Sequence, residues 1–360
     1  MQKVFSYDEL SEKIHAHDGR VFFVSGKTFE LTNIKEKLKL EENSSYVRFS
    51  KFSENPNLDD LILALDAFRQ SKASMIVALG GGTAIDLAKL VKYYSQTYLC
   101  GDEVEPVNPE RSDPIYLLAI PSTFGTGSES THFAVLYIQG KKFSIADSTM
   151  MPDGYLLDSK LAATLPKKVK GSACLDALCQ AIESYWSVDA TKSSKEIAQS
   201  AISLIIANFK EYLTGDREAS EKVALAANLA GQAINLTKTT AAHALSYALT
   251  SRYGIPHGHA VALCIKNMFN ANMLKAKKNN LSDCCIAMEE IYSLLNVKNG
   301  SEASTLIYEL MEFSGLFPSL SDYKQLTVQE VSDIVDSVNL ERLSNHPVSF
   351  SSDELKRIFD

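Results

Sequence analysis

Residues 75–83, Met-Ile-Val-Ala-Leu-Gly-Gly-Gly-Thr, join an apolar run to a glycine turn. An apolar run bounded by glycine predicts a buried strand, and the helical pattern that starts near Ala84 predicts a helix directly after it. The turn between them consists of Gly80, Gly81, Gly82 and Thr83. Glycines let a backbone approach a phosphate at the positive end of a helix, so the turn is a candidate phosphate site. It matches neither the G-x-G-x-x-G nor the Walker pattern, and a tight turn without a ligand is the alternative.

Three further β-branched runs accompany this strand, at residues 21–25, 46–49 and 116–120. Helical periodicity separates them at 58–70 and 84–95. Strand and helix in alternation predict a parallel sheet that is covered on both faces.

Beyond Leu161 the pattern changes to long helical segments rich in alanine and leucine. These segments are residues 172–186, 194–212, 219–236 and 241–252. We therefore predict an α/β nucleotide-binding domain at residues 1–162 and an all-α metal-binding and catalytic domain at 163–360. Pro166 interrupts the chain near this boundary.

A second polar loop follows the strand at 116–120. Residues 121–129 read Pro-Ser-Thr-Phe-Gly-Thr-Gly-Ser-Glu. Loops at the carboxyl ends of parallel strands are expected to line one crevice, where open α/β sheets bind ligands.

Four side chains of the helical half could hold a metal ion. Asp176 and Gln180 are four residues apart on the helix predicted at 172–186, so both leave the same face. His243 opens another helical segment, and His257 lies between Pro256 and Gly258, which mark a helix end. One carboxylate, two imidazoles and an amide oxygen could bind a divalent metal with a position open for substrate. Buried structural histidines and a solvated Asp/Gln pair are the alternative.

The composition excludes several partners. A net charge of -8 argues against a nucleic-acid partner, because such binders concentrate positive charge. No run approaches the roughly 18 apolar residues that span a bilayer, and the first ten residues lack an apolar signal core. Six cysteines without a C-x-x-C pair are typical of reduced thiols, and we expect a cytoplasmic protein.

Taken together, the motifs resemble those of the iron-containing (group III) alcohol dehydrogenases. The motifs are Gly80 to Lys89, Pro121 to Thr123, Gly125 to Glu129, Asp176 to Leu178, Ala181 to Glu183, His243 to Leu245 and Pro256 to Gly258. They occur in the family's order over roughly residues 20 to 270. The resemblance implies a nucleotide-binding domain, a helical metal-binding domain, an active site in the cleft between them, and a homodimer.

The resemblance also implies residue roles. Gly80 to Thr83 would face the cofactor pyrophosphate, and Asp86 would lie near the nicotinamide ribose. Ser122 and Thr123 would contact the adenine side of the cofactor. Thr126 and Ser128 would approach its phosphates or nicotinamide, and Lys142 would lie near a ribose. Asp176, His243 and His257 would bind the metal, either Fe²⁺ or Zn²⁺.

Two positions depart from the family pattern. Gln180 replaces a histidine ligand, and because an amide oxygen is a poorer donor than imidazole for iron or zinc, the site should hold metal more weakly or prefer a harder ion. Gln180 could instead hydrogen-bond a metal-bound water. Tyr247 stands where many members carry a further active-site histidine. It could serve as a proton relay or as a packing aromatic.

The cofactor preference follows from the turn after the first long strand. Gly26 and Lys27 replace the acidic residue that would repel a ribose 2′-phosphate and bond a 2′-hydroxyl. We therefore expect NADP(H) to be favoured over NAD(H).

Within the family, residues 176–187 and 253–259 resemble the phosphonoacetaldehyde reductase branch. A phosphonate would require cationic and hydroxyl donors. Lys238, Thr239, Arg252 and His259 lie near the metal-binding positions in sequence and are candidates, although charged residues there could equally be solvated surface.

The resemblance therefore implies a metal-dependent, NAD(P)-linked enzyme that interconverts a small aldehyde and its primary alcohol, with phosphonoacetaldehyde and 2-hydroxyethylphosphonate as one possible pair. Tyr247 and His259 are the candidate catalytic residues for the proton. Three alternatives stay open. They are a general short-chain alcohol dehydrogenase, a dehydroquinate synthase-like lyase, and a nucleotide-binding protein with a weakened metal site.

Overall fold

The computed structural model describes residues 2–40, 46–95, 97–100, 103–106, 115–139, 141–338 and 340–359. The chain divides into two compact units. Unit 1 comprises Met1–Thr123 and Gly127–Ala162, and unit 2 comprises Phe124–Thr126 and Ala163–Asp360.

Unit 1 contains a parallel sheet. Its strands are β1 (Lys3–Val4), β2 (Arg20–Ser25), β3 (Tyr46–Phe49), β4 (Ala73–Gly80), β7 (Tyr116–Pro121) and β10 (Gly154–Tyr155), in the order β1-β10-β7-β4-β2-β3. Every pairing between these strands is parallel, which confirms the four predicted strands. The two-residue strands β1 and β10 were not predicted, because two residues are too few to form an apolar run.

Helices cover both faces of this sheet. They are α1 (Tyr7–His15), α2 (Thr28–Leu31), α3 (Ile34–Lys37), α4 (Leu58–Ser71) and α5 (Gly82–Tyr94). Phe22 and Val24 of β2 pack in one apolar cluster with α4 and α5, whereas Val21 and Phe23 pack in another with α1, α2 and α3. Because successive side chains of a strand point to opposite faces, burial on both sides explains the continuous apolar run.

Two antiparallel hairpins complete unit 1 and were not predicted. β5 (Thr97–Cys100) pairs with β6 (Glu103–Pro106), and β8 (Phe133–Ile138) pairs with β9 (Lys141–Ala146). Lys142 lies on β9 opposite Tyr137.

Unit 2 is helical. Its α-helices are α6 (Lys167–Trp186), α7 (Lys192–Thr214), α8 (Arg217–Thr237), α9 (Ala241–Tyr253), α10 (His257–Ile265), α11 (Met268–Lys278), α12 (Ser282–Leu294), α13 (Gly300–Phe313), α14 (Val328–Asp336), α15 (Leu340–Ser344) and α16 (Ser352–Lys356). α6 packs against α7, α8 and α10, and nearly all of its residues from Lys170 onwards are buried. A helix surrounded by other helices is buried all round, which explains its weak amphipathic pattern.

Two details of the sequence interpretation were wrong. His257 does not end a helix: α9 ends at Tyr253 with Gly254 in the left-handed conformation (φ 68°), and His257 begins α10 after Pro256. Gly258 therefore lies inside a helix, and its role is close packing. α5 begins at Gly82, two residues before the predicted start.

None of the helices in the described part of the chain combines the length and the apolar character that crossing a bilayer requires.

Candidate metal centre and nucleotide-binding loops

The candidate metal centre begins on α6. Asp176 and Gln180 lie one turn apart on this helix, and their exposed fractions are only 2% and 4%. Burying a carboxylate without a partner is costly, so these two positions require polar neighbours.

α9 and α10 supply those neighbours. His243 lies in the first turn of α9, and His257 is the first residue of α10. α10 approaches α6 closely because Gly258 has no side chain: a Cβ there would lie 2.0 Å from the Ser172 carbonyl oxygen and 2.7 Å from Asp176 Cβ. This approach places His257 beside Asp176.

The three predicted ligands form one cluster. Their ligand atoms all lie within 4.8 Å of one another. Asp176 Oδ1 is 3.3 Å from His243 Nε2 and 3.8 Å from His257 Nε2. The two imidazole rings meet edge to face, with centroids 5.3 Å apart.

The cluster has the dimensions and the chemistry of a metal site. Donor atoms that bind a tetrahedral ion at about 2.1 Å are separated from one another by about 3.4 Å, close to the distances of Asp176 from the two histidines. Gln180 Oε1 and His243 Nε2 are buried and make no hydrogen bond with the described residues. A buried polar atom without a partner costs about 1–3 kcal/mol, and a cation among these atoms would remove that cost. The donor set therefore fits a divalent metal.

The charge of the cluster also favours a cation. Burial by itself lowers the pKa of His243, but the carboxylates of Glu183 and Asp176 outweigh it and raise that pKa to about 9. A bound metal would replace the proton that the imidazole otherwise carries there.

Tyr247 adjoins the cluster. Its ring stacks on His257, with centroids 6.0 Å apart and an interplanar angle of 25°. Burial raises the pKa of Tyr247, while the Arg342 cation and a hydrogen bond with Thr239 partly oppose that rise. The phenol therefore keeps its proton at neutral pH, which a proton donor requires.

His259 has a different environment. It lies two residues after His257 on α10, so its side chain leaves another side of the helix. Its Nε2 donates to the Phe317 carbonyl oxygen at 2.7 Å, and its backbone N–H donates to Ser172 Oγ at 3.1 Å. The structure groups His259 with Phe317, outside the Asp176–His243–His257 cluster.

In unit 1, the first glycine loop forms the start of α5. Gly80 has φ +155°, and a Cβ there would lie 2.8 Å from Ala84 Cβ. Gly81 is the N-cap and makes no side-chain hydrogen bond, so Gly82 and Thr83 begin the helix without a side-chain cap. A Cβ on Gly81 would also meet Thr123 at 3.1 Å. The positive end of α5 is therefore lined by backbone, as a phosphate site requires.

The second loop contributes to a buried polar network around Asp86. Ser128 Oγ donates to Asp86 Oδ1 at 2.5 Å, and Val135 N–H donates to Asp86 Oδ2 at 3.0 Å. Lys89 is fully buried, and its Nζ donates to Ser128 Oγ and Thr131 Oγ1, both at 2.8 Å. Burial lowers the pKa of Lys89 to about 8, although Asp86 opposes this shift.

The other residues of the predicted nucleotide site lie in unit 1 or in the short loop segment of unit 2. Ser122 is buried, its N–H donates to the Gly80 carbonyl oxygen at 2.9 Å, and Thr123 is half-buried beside it. Thr126 belongs to unit 2 and is half-buried. Lys142 is half-buried and close enough to Asp86 to oppose the burial that raises the pKa of that carboxyl.

The turn that bears on cofactor preference carries a cation that the sequence interpretation missed. Lys27 is exposed and Gly26 half-buried. Arg48, on the neighbouring strand β3, donates through Nη2 to the Gly26 carbonyl oxygen at 2.8 Å and forms an ion pair with Glu30. Parallel pairing of β2 and β3 brings Arg48 to this turn, which no local pattern indicates.

Comparison with known proteins identifies the family. The model of the iron-containing alcohol dehydrogenases matches residues 2–159, and the model of the C-terminal domain of the Fe-containing alcohol dehydrogenase family matches residues 171–360. The chain is 29% identical to an NADPH-dependent butanol dehydrogenase of Clostridium saccharobutylicum, over 85% of this chain and 81% of that protein. It is 31% identical to a phosphonoacetaldehyde reductase of Streptomyces viridochromogenes, over 61% of this chain and 58% of that protein.

A solved structure is similar over the whole chain. The sulfoacetaldehyde reductase of Bifidobacterium kashiwanohense in complex with NAD⁺ has a TM-score of 0.85 and 25% identity, covering 100% of this chain and 96% of that one.

We predict that Gly258→Ala weakens metal binding by at least about tenfold and lowers the melting temperature, because the added methyl must push α10 away from α6. Metal titration with a competing chelator and thermal unfolding measure both effects. Gly26→Ala is the matched control, since a Cβ there meets only Phe52 at 3.8 Å. Unchanged metal binding in Gly258→Ala would contradict the role assigned to this contact.

Proposed function

The chain belongs to the iron-containing alcohol dehydrogenase family of NAD(P)-linked, metal-dependent oxidoreductases, and we propose that it reduces a small anionic aldehyde, such as phosphonoacetaldehyde, to its primary alcohol with NADPH. The cluster of Asp176, His243 and His257 beside Tyr247 carries this proposal. It combines a site for a Lewis acid with a proton donor.

The roles of the residues follow from their surroundings. When bound, the metal polarises the carbonyl oxygen and the nicotinamide supplies the hydride. Asp176, His243 and His257 would hold the ion, with the amide oxygen of Gln180 as a fourth donor. Tyr247 holds a proton next to His257 and delivers it towards the alkoxide. We assign this proton to Tyr247 and not to His259, whose Nε2–H is committed to the Phe317 carbonyl.

The preference for NADP(H) is supported at the turn after β2. Gly26 presents no carboxylate, and Lys27 is an exposed cation next to it, whereas the charge of Arg48 is paired with Glu30. The similar butanol dehydrogenase of C. saccharobutylicum is NADPH-dependent.

We predict that Gly26→Asp shifts the ratio of kcat/KM for NADPH over NADH by at least about tenfold towards NADH, because a carboxylate repels the 2′-phosphate and accepts from a 2′-hydroxyl. Initial rates with both cofactors measure the ratio. Gly26→Asn, which has the same size without the charge, is the control. An equal shift in both variants would indicate a steric effect and contradict the electrostatic account.

The anionic substrate class is supported by a buried cation. Two of the candidate phosphonate donors already have partners. Arg252 is exposed and donates a hydrogen bond to the Asp333 carbonyl oxygen, and Thr239 forms a hydrogen bond with Tyr247. Lys238 is half-buried just after α8. Arg342 is 8% exposed and acts electrostatically on Tyr247, and we assign the anion contact to it. Guanidinium suits a phosphonate or sulfonate because it donates two parallel hydrogen bonds.

We predict faster NADPH consumption with phosphonoacetaldehyde or sulfoacetaldehyde than with butanal. Arg342→Met should raise KM for the anionic aldehydes at least about tenfold and leave butanal nearly unchanged, whereas Arg252→Met should change neither. Steady-state absorbance assays measure these values. A preference for butanal would favour a general short-chain alcohol dehydrogenase. No NADPH consumption with any short aldehyde would contradict hydride transfer itself.

The native metal depends on Gln180. An amide oxygen in place of an imidazole weakens the binding of iron or zinc and suits harder ions. We therefore propose a site of moderate affinity for Fe²⁺ or Zn²⁺.

We predict that Gln180→His tightens Zn²⁺ and Fe²⁺ binding at least about tenfold, because it exchanges an oxygen donor for an imidazole. Gln180→Leu, which removes the donor at similar size, should weaken it. Chelator competition measures both. If neither variant changes the affinity, Gln180 does not ligate. If the wild-type protein binds NADPH but no metal, it is a nucleotide-binding protein with a weakened metal site.

The homodimer implied by the family resemblance and the cytoplasmic location expected from the cysteines also belong to this proposal. Five cysteines with described side chains, Cys174, Cys179, Cys264, Cys284 and Cys285, are free thiols, which is typical of a reducing compartment.

A further inference from the structure

Glu183 is a third polar residue buried on α6. It lies seven residues after Asp176 and three after Gln180, so the three side chains leave the same face of the helix. Glu183 is 0% exposed, which makes it the most deeply buried of the three. A carboxylate at such a position requires several donors.

The start of α9 supplies those donors. Glu183 Oε1 accepts from Thr240 Oγ1 at 2.6 Å and from the backbone N–H groups of Thr240 at 3.1 Å, Ala242 at 3.0 Å and His243 at 3.4 Å. Thr240, the N-cap of α9, makes no capping hydrogen bond through its own side chain. Glu183 therefore caps α9 from another helix and places a negative charge at its positive end.

The second oxygen of Glu183 contacts the metal cluster. Oε2 lies in hydrogen-bond contact with His243 Nδ1. A carboxylate oxygen accepts, so Nδ1 keeps a proton, and Nε2 is the nitrogen that can present a lone pair to a metal. Nε2 is the atom that lies 3.3 Å from Asp176 Oδ1.

We infer that Glu183 is a positioning residue for the metal centre, which fixes both the place of α9 and the tautomer of His243 that can bind a cation. This inference rests on the proposed metal site. A single side chain does both tasks because its two oxygens face different groups. Outer partners of this kind typically change metal affinity by about 10–100-fold when mutated.

Glu183→Gln separates this role from simple capping. The four donors at Oε1 require an acceptor, so the amide oxygen stays there and the amide N–H₂ faces His243 Nδ1. His243 would then need its lone pair on Nδ1 and its proton on Nε2, the wrong tautomer for ligation. We expect the dissociation constant for Zn²⁺, measured on the metal-free protein with a competing chelator, to rise about 10–100-fold.

Thr240→Val is the matched control. It removes the hydroxyl that donates to Oε1 and leaves the contact between Oε2 and His243, so it disturbs the cap without changing the tautomer. We expect Glu183→Gln and Thr240→Val each to lower the melting temperature. Only Thr240→Val should keep the Zn²⁺ dissociation constant within about threefold of the wild-type value. Equal Zn²⁺ binding by wild type and Glu183→Gln would overturn the inference and leave the proposed function standing. A wild-type protein that binds no divalent metal would overturn both.

A measurement on the wild type covers the case in which Glu183→Gln does not fold. Long-range ¹H–¹⁵N correlation of the Zn²⁺-loaded protein, with histidines assigned by single substitutions, reports which ring nitrogen carries the proton. A proton on Nδ1 of His243 supports the inference. A proton on Nε2 contradicts it, whatever the variant does.

Discussion

The chemistry of the helical unit depends on polar side chains that α6 carries in a buried position. Asp176, Gln180 and Glu183 share one face, and burial of two carboxylates there is unfavourable unless partners compensate. Glu183 has its partners in the backbone and hydroxyl at the start of α9. Asp176 faces His243 and His257 at distances that suit a shared ion. α6 therefore holds one carboxylate with a structural role, Glu183, and one that faces the proposed metal site, Asp176.

Close packing makes this arrangement possible. Gly258 lets α10 approach α6, and His257 gains its position as the first residue of α10. Unit 1 also combines a carboxylate held by internal contacts with groups that are left for a ligand. Asp86 is held by Ser128 and the backbone of Val135, while the glycines before α5 leave its positive end lined by backbone. In both units rigid internal contacts surround a polar surface that a ligand would complete.

Much of the fold followed from local patterns. The apolar runs around 75–79 and 116–120 predicted parallel strands because burial on both faces leaves a continuous signal. The cluster of Asp176, His243 and His257 was anticipated from ligand chemistry and family resemblance. Residues brought together by tertiary contacts were missed. Arg342 reaches the neighbourhood of Tyr247 from far along the chain, and Arg48 meets Gly26 through strand pairing, so no local pattern reveals either.

The central claim is that Asp176, His243 and His257 together hold one divalent cation. Crystals of the protein loaded with Zn²⁺, measured on both sides of the zinc absorption edge, test it most directly. The account predicts one strong anomalous peak within about 2.2 Å of Asp176 Oδ1 and of Nε2 of both histidines. A peak elsewhere, or none at this position in protein that contains stoichiometric zinc, would contradict it.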